Sequence, residues 1–171
     1  MLIKIAGLLF LYALAAPVTA VEPYKLKVSA IAIYPVQKND FEKYSGKGPT
    51  FELSFFTPNQ KTPLEAFPEP PFTLRNLTTG RSCKGGENGG IWEKKSVYAT
   101  ENGKVLLLGS FSGSSNALEF YDVKTCKQIY WLADFMDTDS LLASEKTNEK
   151  TIVFAKGLPT SLRKYVRASS H

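Results

Sequence analysis

The residues of this chain that are best able to do chemistry are two cysteines, one histidine and scattered carboxylates. A hydrolase triad needs a base beside its nucleophile, but the single histidine is the terminal His171, where order is not expected. The sequence contains no Gly-x-Ser-x-Gly elbow and no phosphate-binding loop. It therefore predicts a protein that is not an enzyme, with a hydrolase built on paired carboxylates as the alternative. The acidic residues considered for such a pair are Glu87, Glu93, Glu101 and Glu119.

Metal and cofactor chemistry also lack a recognisable pattern. Asp134, Asp137 and Asp139 lie close together in the sequence, but their spacing differs from that of a calcium loop and no glycine stands at the turn. No Cys-x-x-Cys motif occurs. We therefore expect neither a metal site nor a cofactor.

The N-terminus has the features of a secretory leader. Lys4 precedes an apolar run over residues 5–16, and Val18 and Ala20 occupy the positions that signal peptidase reads. The run is short for a membrane span, although an uncleaved anchor is an alternative. We expect residues 1–20 to be a signal peptide and residues 21–171 to form a single β-rich domain in the periplasm, without stable membrane insertion.

Export bears directly on the cysteines and on the charge. In an oxidising compartment Cys83 and Cys126 are predicted to form a disulfide, the alternatives being two free thiols or one nucleophile.

The formal net charge is +5, and loss of Lys4 lowers it by one. The basic residues are scattered and do not form the stripe with interleaved aromatics of a nucleic-acid binder, so we expect no nucleic-acid partner.

Short strands account for most of the hydrophobic pattern. Alternation over residues 24–34 predicts a strand whose second face turns apolar at Ile31 and Ile33, and Asn102-Gly103 is the signal of a tight hairpin. A short helix is predicted over residues 159–166. The other predicted strands are residues 51–55, 72–77, 91–100, 104–111, 117–123, 128–133 and 151–155. This pattern indicates an all-β fold, either an antiparallel meander or a β-sandwich.

The intervening segments are predicted to be loops. Residues 37–49 are polar, residues 57–71 contain five prolines, and residues 84–90 contain four glycines. In the proline-rich segment, Leu64 and Phe67 are expected to pack at the edge of the core. Residues 111–116 read Phe-Ser-Gly-Ser-Ser-Asn, a small polar loop between two firm strands.

A weak internal repeat refines the fold. Residues 74–81 resemble residues 120–127 at an offset of 46. In each segment a strand runs into a polar turn that contains threonine and ends at a basic residue. This period suits four-stranded propeller blades, and the chain has room for about three. We therefore predict an incomplete β-propeller, the alternative being a chance similarity of turns.

An exported β meander of this size, with one disulfide and a serine-rich projecting loop, resembles the periplasmic immunity proteins that neutralise type VI-secreted peptidoglycan amidases. The resemblance implies an incomplete propeller whose serine-bearing loop plugs the Cys–His active site of the toxin. The partner-binding residues that it implies here are Ser112, Gly113, Ser114, Ser115 and Asn116.

An envelope- or carbohydrate-binding domain without catalytic activity is the alternative function. Exposed aromatic side chains can stack on sugars, although packing in the core is the usual role of such residues. The candidates are Trp92, Tyr98, Tyr130 and Trp131.

Overall fold

The computed structural model describes residues 22–68, 71–86, 90–133, 141–143 and 149–166. The predicted leader, Asp134, Asp137, Asp139 and His171 lie outside these residues. The elements are β1 (Tyr24–Ala30), β2 (Tyr34–Gln37), β3 (Asp40–Lys47), β4 (Phe51–Phe56), β5 (Ala66–Pro68), β6 (Phe72–Asn76), β7 (Ser82–Gly85), β8 (Ile91–Thr100), β9 (Val105–Ser112), β10 (Ser115–Asp122), β11 (Gln128–Ala133), β12 (Leu141–Ala143), β13 (Glu149–Phe154) and α1 (Thr160–Val166). In the described part of the chain, no helix has the length and apolar character needed to cross a membrane.

The strands form two antiparallel sheets. The larger sheet has the order β11-β10-β9-β8-β1-β13-β12, with β5 added beside β8, and the smaller has the order β2-β3-β4-β6-β7. Most neighbours in space are also neighbours along the chain, as in a meander. The prediction of an all-β fold resembling an incomplete propeller, with one disulfide, is confirmed, and so is the short C-terminal helix.

The middle strands of the larger sheet are buried on both faces. Leu106 and Leu108 of β9 belong to a core shared with the smaller sheet. Val105 and Leu107, which alternate with them, face a second core formed with β1, β13 and α1. A strand that is buried on both faces needs a continuous apolar run. The β8–β11 layer is therefore held in place from both sides.

The strand predicted over residues 24–34 is divided between the two sheets. β1 ends at Ala30, and the N–H of Ile31 donates to the carbonyl of Val97 at 2.8 Å. Ile31 and Ile33 enter the core shared by the sheets, and β2 continues in the smaller one. The apolar change at these two residues thus marks the crossing point between sheets, and the prediction of a single strand is wrong.

Three predicted loops also contain strands. β3 lies within residues 37–49, with Tyr44 and Gly46 buried and Phe41 packed partly buried against the same core, while its other residues are polar. β7 (Ser82–Gly85) includes the first two residues of the glycine-rich segment 84–90. Three residues of the proline-rich segment form β5, in which Phe67 is fully buried, and Leu64 packs against the same core as expected.

The internal repeat corresponds to two turns with the same hydrogen bonds. In the β6–β7 turn Asn76 Oδ1 accepts from the N–H of Thr78, and in the β10–β11 turn Asp122 Oδ1 accepts from the N–H of Lys124. In each turn the fifth residue donates its N–H to the carbonyl of the first and has positive φ, +69° at Gly80 and +56° at Cys126. The similarity of residues 74–81 and 120–127 is therefore structural.

The disulfide joins these two hairpins. Cys83 lies on β7 and Cys126 lies in the β10–β11 turn, with a Cα–Cα distance of 5.9 Å. Neither residue is a free thiol. The bond links the smaller sheet covalently to the larger one.

Candidate functional site

The serine-rich segment forms the tip of the β9–β10 hairpin. The prediction of a loop over residues 111–116 is wrong in extent, because β9 continues to Ser112 and β10 begins at Ser115. The connection consists of Gly113 and Ser114 alone. Gly113 has a φ of +59°, as the first central residue of a type II′ turn requires, and glycine is the residue that takes this conformation without strain.

The strands below the tip hold it rigidly. The β9–β10 register is unbroken from Ser112↔Ser115 to Val105↔Asp122. Side chains of both strands are buried, including Leu108 and Leu118. Because the turn is short and its base lies in two cores, the tip has few conformations to lose when it binds a partner.

Hydroxyl groups dominate the exposed surface of the tip. Ser112, Gly113, Ser114 and Ser115 are exposed, and Asn116 is half-buried. A serine hydroxyl donates one hydrogen bond and accepts up to two. The structure therefore brings all five sequence-predicted residues together on one projecting edge, where they can offer polar groups to a partner.

A small pocket, which we call the cup, lies beside the hairpin and has a volume of about 160 Å³. Its lining residues comprise Gly90, Ser110, Phe111, Ser112, Ser115, Asn116, Ala117, Glu119 and Trp131. Register places small side chains at its floor, because Ala117 pairs with Ser110 on β9 and with Ala133 on β11. Glu119 and Trp131 form a directly opposed cross-strand pair at one side.

Glu119 is the charged group of the cup, and 9% of its surface is exposed. Its Oε2 accepts hydrogen bonds from the hydroxyl of Tyr121 and, at 3.3 Å, from Nε2 of Gln128. Both donors are neutral. Burial, together with the hydrogen bond to Glu119 and its charge, raises the pKa of Tyr121 far above its usual value, so the tyrosine remains a hydrogen-bond donor.

Gly90 lies beside both the carboxylate of Glu119 and the indole of Trp92. A Cβ at position 90 would lie 3.7 Å from Glu119 Oε1 and 3.5 Å from Trp92 Nε1, which is ordinary contact distance. Trp92 is fully buried, and its Nε1 has no hydrogen-bond partner among the described residues. Trp131, in contrast, is 53% exposed, so its ring is available to a ligand.

The other aromatic candidates for sugar stacking are less accessible. Trp92 and Tyr98 are buried in the two cores, and Tyr130 is half-buried against Phe120 and Phe154. Trp131 is therefore the accessible member of the four.

The carboxylates considered for catalysis show no paired arrangement in the described residues. Glu93 accepts a hydrogen bond from the hydroxyl of Ser96 at 2.7 Å, Glu101 is exposed in the β8–β9 turn, and Glu87 lies outside the described residues. Within the described ranges no three His, Cys, Asp or Glu side chains come together as metal ligands.

Sequence reasoning named both Glu119 and Trp131 but did not connect them. Their juxtaposition depends on the β10–β11 register, which contains an irregularity after Phe120. A strict alternation along both strands, counted back from the turn, would not have given this pairing.

The fold and the site define a class of protein: a disulfide-linked β meander with a short, hydroxyl-rich hairpin exposed at one edge. The family model of the immune protein Tsi1 matches residues 28–145, well over half of the chain. The chain belongs to the Tsi1 immune protein family, and the resemblance to immunity proteins of type VI effectors is confirmed at the level of the family.

One curated relative illustrates the similarity. It is the immune protein Tsi1 of Pseudomonas aeruginosa, 42% identical over 73 residues, which amount to 43% of this chain and 41% of the relative. The chain thus matches about two fifths of the length of that relative.

Proposed function

We propose that this protein is a periplasmic immunity protein that binds a peptidoglycan amidase toxin and plugs its active site with the β9–β10 hairpin tip. The observation that carries this proposal is the two-residue turn at Gly113–Ser114, exposed at the end of strands that are buried in two cores. Membership of the immune protein family supports it.

The chemistry of the tip suits an amidase of the Cys–His type. Ser112, Ser114 and Ser115 can each donate to an imidazole or a thiolate and accept from a backbone N–H. A narrow hairpin can enter a cleft that is shaped for an extended substrate, and its serines would keep the substrate away from the catalytic thiolate. Inhibition of this kind needs no catalytic group of its own, so the proposed protein is an inhibitor and not an enzyme.

Location in the periplasm agrees with two features of the chain. The first twenty residues have the pattern of an export signal, and the Cys83–Cys126 disulfide is typical of an oxidising compartment. A peptidoglycan amidase acts in the same compartment. The mildly basic surface would favour encounter with an acidic partner.

The test is a titration of the mature chain against a type VI-secreted peptidoglycan amidase of the Cys–His type, taken from a neighbouring gene where one encodes such an enzyme. We expect inhibition of peptidoglycan hydrolysis at one inhibitor per enzyme. Ser114→Arg should weaken the complex roughly 30-fold or more, because it places a bulky charge at the centre of the proposed contact.

Ser161→Arg is the matched control, because Ser161 is an exposed serine of α1 and the substitution adds the same charge. It should inhibit like the unaltered protein. Equal inhibition by Ser114→Arg would remove the tip from the mechanism, and absence of any complex with the amidase would refute the proposed target.

Envelope or carbohydrate binding is the second candidate, favoured by the exposed ring of Trp131. Among the four aromatic candidates, Trp131 alone is exposed, since Trp92 and Tyr98 belong to the cores and Tyr130 is half-buried. Retention of the isolated protein on purified peptidoglycan, lost in Trp131→Ala, would favour this function over inhibition. No retention would leave the immunity proposal as the better account.

A further inference from the structure

The cup beside the hairpin contains a buried carboxylate that has no cationic partner in the part of the chain that the structure describes. Glu119 is nine-tenths buried, yet among the described residues no Lys or Arg nitrogen forms an ion pair with it. The described groups that donate hydrogen bonds to it are the neutral side chains of Tyr121 and Gln128. A buried carboxylate is costly unless it is paired, so this site is electrostatically incomplete.

The position of the carboxylate links it to partner binding. Ser112 and Ser115 at the tip and Glu119 and Trp131 further down line the same pocket. A protein that surrounds the tip would therefore also cover the cup. Its volume of about 160 Å³ is below the several hundred Å³ of a typical small-molecule site, and it is suited to one side chain.

Glu119 and Trp131, which line the cup, determine which kind of side chain could bind there. Oε2 of Glu119 accepts hydrogen bonds from Tyr121 and Gln128. Among the described residues no group donates to Oε1, which lies 3.7 Å from the position that a Cβ would take at Gly90. The half-exposed indole of Trp131 stands on the neighbouring strand directly opposite Glu119. A cation with a flat face can stack on the indole while it donates to the carboxylate, and this combination is characteristic of arginine rather than lysine.

We propose that the cup receives an arginine side chain of the toxin, with its guanidinium stacked on Trp131 and hydrogen-bonded to Glu119. This inference rests on the proposed function, and it adds a second anchor beside the serine tip. The tip would block the active site, and the cup would select the toxin that carries an arginine at the matching place.

The test measures the affinity of the mature chain for the amidase by calorimetry or surface plasmon resonance. Glu119→Gln keeps the shape and removes the charge, and it should raise Kd roughly tenfold to hundredfold. Trp131→Ala should raise Kd about threefold to thirtyfold through loss of the cation–π contact. Since Trp131 is half exposed, its replacement should leave the fold intact and provides a result that does not depend on the stability of Glu119→Gln.

Glu52→Gln is the matched control, because Glu52 lies on the smaller sheet and pairs with Arg75 at its surface. It should leave Kd unchanged. Replacing each arginine of the amidase with alanine should identify one variant whose loss of affinity is not additive with Glu119→Gln, the signature of a direct contact.

The outcomes separate the two proposals. Kd values within about twofold of the unaltered protein for both Glu119→Gln and Trp131→Ala, with weak binding by Ser114→Arg, would refute the arginine contact in the cup. The proposal that the hairpin tip blocks the active site would then still stand. Lack of binding by the unaltered protein would refute the proposed target, and the arginine contact with it.

Discussion

Removing the disulfide tests the link between the two sheets most directly. The perturbation is the pair of substitutions Cys83→Ser and Cys126→Ser, made in residues 21–171. The two cysteines are 43 residues apart in the sequence, and the loop that they close contains the whole of β8, β9 and β10. Loss of the bond leaves the folded contacts in place but gives the unfolded chain more freedom.

The expected loss of stability follows from the length of that loop. In the chain-entropy model a crosslink that closes a loop of this length contributes about 4 kcal/mol at 25 °C. For a chain of this size, such a loss corresponds to a fall in Tm of roughly 8–16 °C. We expect the double serine variant to fold, and to unfold at a lower urea concentration.

The conformation of Cys126 predicts a further difference in stability, between two variants that lack the disulfide. Its φ of +56° is unfavourable for a residue with a Cβ, whereas Gly80 takes the same position in the equivalent turn. Cys83→Ser combined with Cys126→Gly should therefore be more stable than the double serine variant, by roughly 0.5–1 kcal/mol after the greater flexibility of unfolded glycine is subtracted.

Urea denaturation at 25 °C, followed by far-ultraviolet circular dichroism, measures both differences. The unaltered protein with its disulfide reduced is the control for effects of the serine side chains. A loss below about 1 kcal/mol would show that the bond does not act through loop closure as the model requires. A glycine variant no more stable than the serine variant would refute the assignment of strain to Cys126.

Two further predictions concern other local features. Gly103→Ala should lower the free energy of unfolding, measured in urea, by roughly 2–3 kcal/mol, because φ is +63° and a Cβ would lie 2.6 Å from Thr50 Oγ1. Gly80→Ala is its control, because position 80 has a similar φ but open space, so only the backbone strain should lower stability. Tyr121→Phe should reduce the fall in the free energy of unfolding as pH rises above 10. Burial and Glu119 raise the pKa of Tyr121 above its unfolded value of 10.0, so the stability contributed by the neutral tyrosine is present below pH 10 and is lost as pH rises. Equal dependence of stability on pH in both proteins would contradict this.

The strands that the sequence predicts best are those with buried side chains at regular positions. Phe51, Leu53 and Phe55 alternate with polar residues, and each is buried in β4. The Asn102-Gly103 turn also forms where expected, with Gly103 at positive φ. In these segments local propensity and tertiary packing favour the same structure.

The strands that it misses are stabilised mainly by their neighbours. Apart from Tyr44 and Gly46, every residue of β3 is half-buried or exposed, and Gly46 packs below Ile31 and Ile33. Nothing in the local sequence signals that contact, because Ile31 and Ile33 come from the connection that leaves β1. Similarly, β5 exists because Phe67 pairs with Trp92 of β8, far along the chain.

The candidate site divides in the same way. The composition of residues 111–116 was sufficient to identify the hairpin tip, because small polar residues between two apolar strands indicate an exposed turn. The cup could not be predicted, because Glu119 and Trp131 meet only through the β10–β11 register and its irregularity. A site within one turn can be predicted from local sequence, whereas a site shared by two strands can be predicted only when the register between them is known.

The two ends of β10 explain how one strand can serve both stability and binding. At one end, Asp122 closes the β10–β11 turn and accepts a hydrogen bond from the Tyr165 hydroxyl at 3.0 Å, and Cys126 ties that turn to β7. At the other end, Ser115 follows a turn that carries no crosslink. Because the intervening residues are buried in two cores, the anchored end limits motion at the free end. In the proposed complex the disulfide would therefore contribute to binding indirectly, by reducing the conformational entropy that the tip loses.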